Sequence, residues 1–187
     1  MKKTKISYIL AALIIAVIAG FLFLRQSVGE PSVPRQEDLV TYTAKEYSFN
    51  YPKNWFLRDN SEDPNSSFYL SISNYDPNLL PPHEGPEDFF KIEVYKLPNL
   101  NYLTLQTWIE NFVKESPTGS SIIDQREGVI DGHKTLFVNQ IVGGGPRPVI
   151  YIARENFVYL IQGGSRSEAV QPFFDDFLQS FRFIKNN

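Results

Sequence analysis

The 187-residue chain contains no cysteine, one methionine and two histidines. Without cysteine there is no disulfide, no thiolate metal site, no cysteine nucleophile and no lipid-modified cysteine behind a signal peptide. Stability in an oxidising compartment must then come from packing alone. With only His83 and His133 available, a Ser-His-Asp triad has to use one of them, and the chain has no G-x-S-x-G elbow. Internal repeats are also missing, and nothing marks a second soluble domain.

Charge is absent from one long stretch. Residues 6–24 read ISYILAALIIAVIAGFLFL, with no Asp, Glu, Lys, Arg or His among them. As a helix they would extend about 28 Å, close to the hydrocarbon thickness of a bilayer. Twelve of them are Leu, Ile, Val or Phe. At the helix centre these favour insertion by roughly 4–7 kcal/mol in total. Lys2, Lys3 and Lys5 precede the run and only Arg25 follows it. That bias predicts a transmembrane signal-anchor with residues 1–5 in the cytoplasm and the remainder extracytoplasmic. A cleaved signal peptide is the competing reading. The run is longer than a usual signal core, and the weak cleavage candidate Ser27-Val28-Gly29 comes only after Arg25.

The rest of the chain is short of positive charge. Lys2, Lys3, Lys5 and Arg25 take 4 of the 18 basic side chains, and the other 14 stand against 21 acidic ones, a net −7 over residues 26–187. Such a field does not attract phosphate backbones, so nucleic acid is not an expected partner.

What is abundant is aromatic: 15 Phe and 10 Tyr. Residues 25–40, with two prolines and no clear period, read as an extended linker. Residues 41–187 read as one globular domain. In YSFNYPKNWFL (47–57) a period of two puts Tyr47, Phe49 and Tyr51 on one face. Pro52 ends that strand and opens a turn toward Trp55. The corner predicts a core that takes in Phe49 and Trp55. Further strands are predicted over Phe68–Asn74 and Phe89–Leu97, with a proline-rich connection between them. In the second, Phe90, Ile92 and Val94 oppose Lys91, Glu93 and Tyr95.

Leu105, Trp108, Ile109, Phe112 and Val113 form the stripe of an amphipathic helix over Thr104–Glu115, with Thr104 as N-cap. Asp131-Gly132 marks a tight hairpin between Ile122–Ile130 and His133–Val142. A second hairpin joins Pro148–Ala153 to Phe157–Gln162. A last helix is predicted over Glu168–Phe181, with Pro172 in its first turns. Hairpins outnumber helices, which predicts an α+β fold with a mostly antiparallel sheet flanked by helices.

Motifs that could carry chemistry are weak. DNSEDPN (59–65) imitates the start of a calcium loop, but Pro64 replaces the required glycine and Leu70 the closing glutamate. In HEGPED (83–88), His83, Glu84, Glu87 and Asp88 gather metal-capable groups in a loop whose spacing matches no known geometry. Asp131 and His133 flank a turn, where a structural role with an exposed histidine is the plain expectation. GGGPRP (143–148) lacks the Lys and the strand-to-helix setting of a phosphate loop and reads as a flexible link between hairpins. No cofactor is expected. These candidates leave a small-ligand or metal-binding domain as the alternative reading.

The aromatic strand with its Tyr51-Pro52 corner leading to Trp55, the central helix, the late hairpins and the closing FLQSFRF at 177–183 together resemble the PsbP-like superfamily, including its DcrB-like bacterial domains. The likeness covers nearly all of residues 41–185. It implies an antiparallel sheet sandwiched by helices. Family members are often exported and peripheral to a membrane complex, and the plant members are non-enzymatic extrinsic subunits of the oxygen-evolving photosystem. The basic, apolar start does not read as a transit peptide, and no residue here is matched to that docking, so the photosystem role is not expected. What the resemblance implies here is a non-catalytic accessory domain held at a bacterial membrane, with a membrane or envelope protein as partner.

Overall fold

A computed structural model of the chain describes residues 38–63, 68–79, 89–116, 120–142, 145–165 and 171–184. All lie in the compact unit Pro34–Asn187. The predicted anchor at 6–24 lies outside the described residues. Among those that are described, no helix is long and apolar enough to cross a membrane.

Ten strands and two helices follow one another as β1 (Leu39–Thr43), β2 (Tyr47–Pro52), β3 (Phe56–Asp59), β4 (Leu70–Ser73), β5 (Phe90–Pro98), α1 (Leu105–Glu115), β6 (Ser121–Ile130), β7 (His133–Val142), β8 (Gly145–Arg154), β9 (Phe157–Ser165), α2 (Gln171–Ser180) and β10 (Arg182–Phe183). They form two sheets rather than one. A small sheet has the order β1-β2-β10, and a large one the order β3-β4-β5-β9-β8-β7-β6. Every pairing is antiparallel. The fold class read from the sequence therefore holds, with the single sheet corrected to two.

The large sheet is buried on both faces in its middle, and β8 shows why. Val149, Ile150, Tyr151 and Ile152 are all buried, so the strand is a continuous apolar run rather than an alternation. Val149 and Tyr151 join Leu136, Val138, Val158 and Leu160 beneath Leu105 and Ile109 of α1. Ile150 and Ile152 face the other way. They join Ile72, Ile92 and Ile161 beneath Phe174 and Phe177 of α2, and Tyr47 and Phe49 of the small sheet. Each such side chain contributes about 1.5–3 kcal/mol on burial.

The 47–57 corner does what its alternation predicts. Tyr47 and Phe49 are buried, and Trp55 packs against Phe90 and Phe173, ring centres 5.3 and 5.1 Å away. Thr104 caps α1 as expected, its hydroxyl accepting from the Thr107 N–H at 3.2 Å.

Three expectations need correction. β1 starts at Leu39, inside the segment read as linker, because Leu39 and Val40 pair with Pro52 and Tyr51. Gly145–Pro148 is not a loose link. It extends β8 along β7, from Val142↔Gly145 to Asn139↔Pro148. Pairing of β8 with β9 stops at Val149↔Gln162, one residue before Pro148, which has no N–H to give. The final helix closes at Ser180 instead of Phe181. Phe181 still donates its N–H to the Phe177 carbonyl, at 3.0 Å.

Candidate functional site

The Asp131-Gly132 turn has positive φ at both residues, +49° and +80°, as a type I′ hairpin requires. Asp131 thereby presents its carboxylate to the chain end, where it accepts the Phe183 N–H at 2.6 Å. His133 is half-buried rather than exposed, its ring edge-on to Phe183 with centres 4.7 Å apart. Both residues fasten β10. They do not converge on an open metal position, and among the described residues no group of three His, Asp or Glu could hold a metal ion. His83, Glu84, Glu87 and Asp88 lie outside the described residues. Asp59, from the calcium-like stretch, accepts from the Tyr42 hydroxyl and, at 2.8 Å, from the Ser61 N–H.

A denser polar centre, which sequence reasoning missed, lies where the two sheets meet. Glu46, in the bend before β2, accepts from the Lys96 ammonium of β5 and the Tyr159 hydroxyl of β9, each at 2.6 Å. Burial pushes its carboxyl up, but the bonds from Lys96 and Tyr159 and the charges of Lys96 and Arg154 outweigh it, and the net shift is downward. Burial, reinforced by the bond to Glu46, raises the Tyr159 phenol. Lys96 also sits 4.2 Å from the centre of the Phe157 ring. Arg154, from β8, donates to the Glu46 carbonyl at 2.9 Å and the Ile184 carbonyl at 2.8 Å. Its guanidinium lies 4.6 Å above the Phe183 ring.

Glu93 forms a second such node on the α1 side of β5. It is bound by Lys91 at 2.6 Å, Gln162 at 2.7 Å and the Tyr95 hydroxyl at 3.1 Å. Burial raises its carboxyl, and the Lys91 bond and charge, with the other two donors, bring it below the ordinary range. The polar face of β5 was legible in the alternation, whereas its cross-strand partner Gln162 was not.

An open cleft of about 910 Å³ runs between α2 and the β6–β8 end of the large sheet. Buried Ile150 and Phe174 and half-buried Phe137 line it together with Asp124, Arg126, Asp131, Asp175 and Arg182. Arg126 lies 4.0 Å over the Phe137 ring. β6 stands at the sheet edge, and its Val129 is 67% exposed. An apolar base ringed by both signs of charge, beside a sheet edge, suits a polypeptide segment.

Two sheets of antiparallel strands, with a helix against each face of the larger, define an α+β sandwich in which Glu46 ties the small sheet to the large one. The chain belongs to the PsbP-like protein family, whose model matches residues 7–183. No curated protein matches it by sequence. Among solved structures it is similar to cyanobacterial PsbP (CyanoP) from Synechocystis sp. PCC 6803, at 16% identity and a TM-score of 0.48, covering 84% of this chain and 99% of that one. It is also similar to a protein of unknown function, PA94 from Pseudomonas aeruginosa, at 10% identity and a TM-score of 0.47, covering 80% of this chain and 98% of that one.

Proposed function

We propose that this chain is a membrane-tethered, extracytoplasmic, non-catalytic accessory domain that engages a membrane or envelope protein. The observation that carries the reading is the engagement of its shifted acids. Glu46 is held in its ionised form by Lys96 of β5 and Tyr159 of β9, and Glu93 by Lys91 and Tyr95 of its own strand and Gln162 of β9. Such groups fasten a scaffold and are poorly placed to exchange protons with a substrate. Family membership and the uncharged apolar run at 6–24 support the same reading. The cleft beside β6 is the surface assigned to the partner.

A reporter fused after Asn187 tests the location. Activity of an extracytoplasmic-only reporter is expected, and signal from a cytoplasmic-only one sinks the topology. In-cell crosslinking with affinity capture tests the partner. The cleft also favours a second reading, a small-ligand site. Its test is a metabolite screen by thermal shift, in which a hit abolished by Arg126→Ala displaces the accessory role.

A further inference from the structure

The loop between β5 and α1 is built to hold two apolar side chains in water. Leu100 is 71% exposed and Tyr102 77% exposed. Neither position is slack. Buried Asn99 clamps the loop: its side chain donates to the Leu103 carbonyl at 2.9 Å and accepts the Leu103 N–H at 3.0 Å. Its backbone N–H reaches the Asn156 carbonyl at 2.7 Å, and its carbonyl takes the Tyr102 N–H at 3.0 Å. Inside this clamp Tyr102 adopts φ +50°, a left-handed conformation that a bulky side chain adopts only when its surroundings impose it. The fold thus holds the loop rigid around a displayed tyrosine.

Behind the tip runs a groove of about 420 Å³, lined by Leu97, Leu103, Trp108 and Phe112 among others. Trp108 and Phe112 stack there with ring centres 5.0 Å apart. Trp108 anchors its indole N–H on the Pro98 carbonyl at 3.1 Å. Over residues 97–109, LPNLNYLTLQTWI, the chain carries no charge at all, although residues 26–187 are net acidic. Leucine beside tyrosine and tryptophan, with amide side chains between, is the composition that favours the interfacial layer of a bilayer, and the one ionisable side chain lining the groove is Glu115 of α1, outside the tip.

We propose that the Leu100–Leu103 tip is a membrane-contact element that seats Leu100 and Tyr102 in the lipid interface and so orients the domain on the bilayer. This rests on the tethered reading above. The segment 25–37 reaches at most roughly 45 Å when extended, while a domain of this size has a radius of gyration of roughly 15 Å. A tether of that length keeps the bilayer within reach of any face without choosing one. It also raises the local concentration of lipid, so a contact too weak to recruit the domain alone can still orient it. The occupant is the neutral interface itself, since the tip offers no cation to an anionic headgroup.

The cysteine-free chain makes the test direct. Tyr102→Cys and, separately, Leu100→Cys are labelled with an environment-sensitive fluorophore in the full-length protein. Both are reconstituted into phosphatidylcholine vesicles containing spin-labelled quencher lipids, with Val129→Cys as an exposed control on β6. Labels at 100 and 102 are expected to shift to the blue and to be quenched at least twofold more than the label at 129, independently of salt. Protein that co-floats with vesicles but shows equal quenching at all three positions overturns the proposal while leaving the tether intact. Protein that does not co-float overturns both. A tip label that becomes protected only on adding an envelope extract also overturns it, and makes the loop a protein contact.

Discussion

Replacing Glu46 by Gln removes one charge and little volume from the junction of the two sheets. The Lys96 ammonium, with a side chain 16% exposed, then loses its counter-ion, and the Tyr159 hydroxyl loses a charged acceptor. Removing one partner of a buried pair costs about 3–5 kcal/mol. About a fifth of each side chain still meets water here, so screening brings the expected loss to about 2–3 kcal/mol. In a domain of this size that lowers the melting temperature by roughly 5–10 °C. Glu46 is ionised more readily in the folded chain than its ordinary value of 4.5 allows. The carboxylate's contribution is therefore full above that value and is lost as pH falls through the lower, folded one. Urea unfolding at pH 7 and at successively lower pH reads both quantities. The gap between wild type and Glu46→Gln should be widest near neutrality and close as the wild-type carboxyl protonates. Adding Lys96→Met should recover part of the loss, since no charge is then stranded. Glu127→Gln is the control, because its pairing with Lys134 is 3.5 Å long and the two side chains are 73% and 64% exposed. A Glu46→Gln protein as stable as the control, or a gap that does not change with pH, refutes the role given to Glu46.

Trp55→Ala should cost about 2–4 kcal/mol, toward the lower end for a large aromatic because Trp55 is only half-buried; an unchanged melting temperature would take it out of the core. Gly163→Ala puts a Cβ 2.9 Å from Phe174 Cδ2, so α2 must shift at a cost of about 1–3 kcal/mol. Phe174→Leu in the same chain should return part of that loss in a thermal melt, and additive losses would contradict the clash. Asp131→Ala strips the Phe183 N–H of its acceptor and should cost about 1–2 kcal/mol. Hydrogen exchange at that amide should rise with it, and unaltered protection there would mean that β10 is held without Asp131.

Periodicity in the sequence reports which face a residue occupies, and there it was dependable. Tyr47 and Phe49, the Leu105–Val113 stripe, the Thr104 cap and the Asp131-Gly132 turn were all readable because each depends on neighbours within a few positions. Pairing across the chain is not encoded that way. Nothing near Phe90 announces that β5 lies beside β9, with α1 and three strands intervening in the chain, or that the short β10 completes a second sheet with β2. The first two residues of β1, Leu39 and Val40, were read as linker because their order comes from pairing with Pro52 and Tyr51 of β2. The polar centre was hidden for the same reason. Glu46 stands among polar neighbours before a strand, and its role exists only once Lys96, Arg154 and Tyr159 arrive from three other strands. Asp131 and His133 were found by residue type, and their shared neighbour Phe183, from the last strand of the chain, is what makes them fasteners.

Whether the domain works tethered and through a partner is read by crosslinking the full-length protein in cells, followed by capture and mass spectrometry, against a form lacking residues 1–29 that is exported by another signal. One dominant membrane or envelope protein, captured with the full chain and lost from the untethered form, is the predicted result. Capture that is the same for both forms, or that enriches no protein over background, contradicts it.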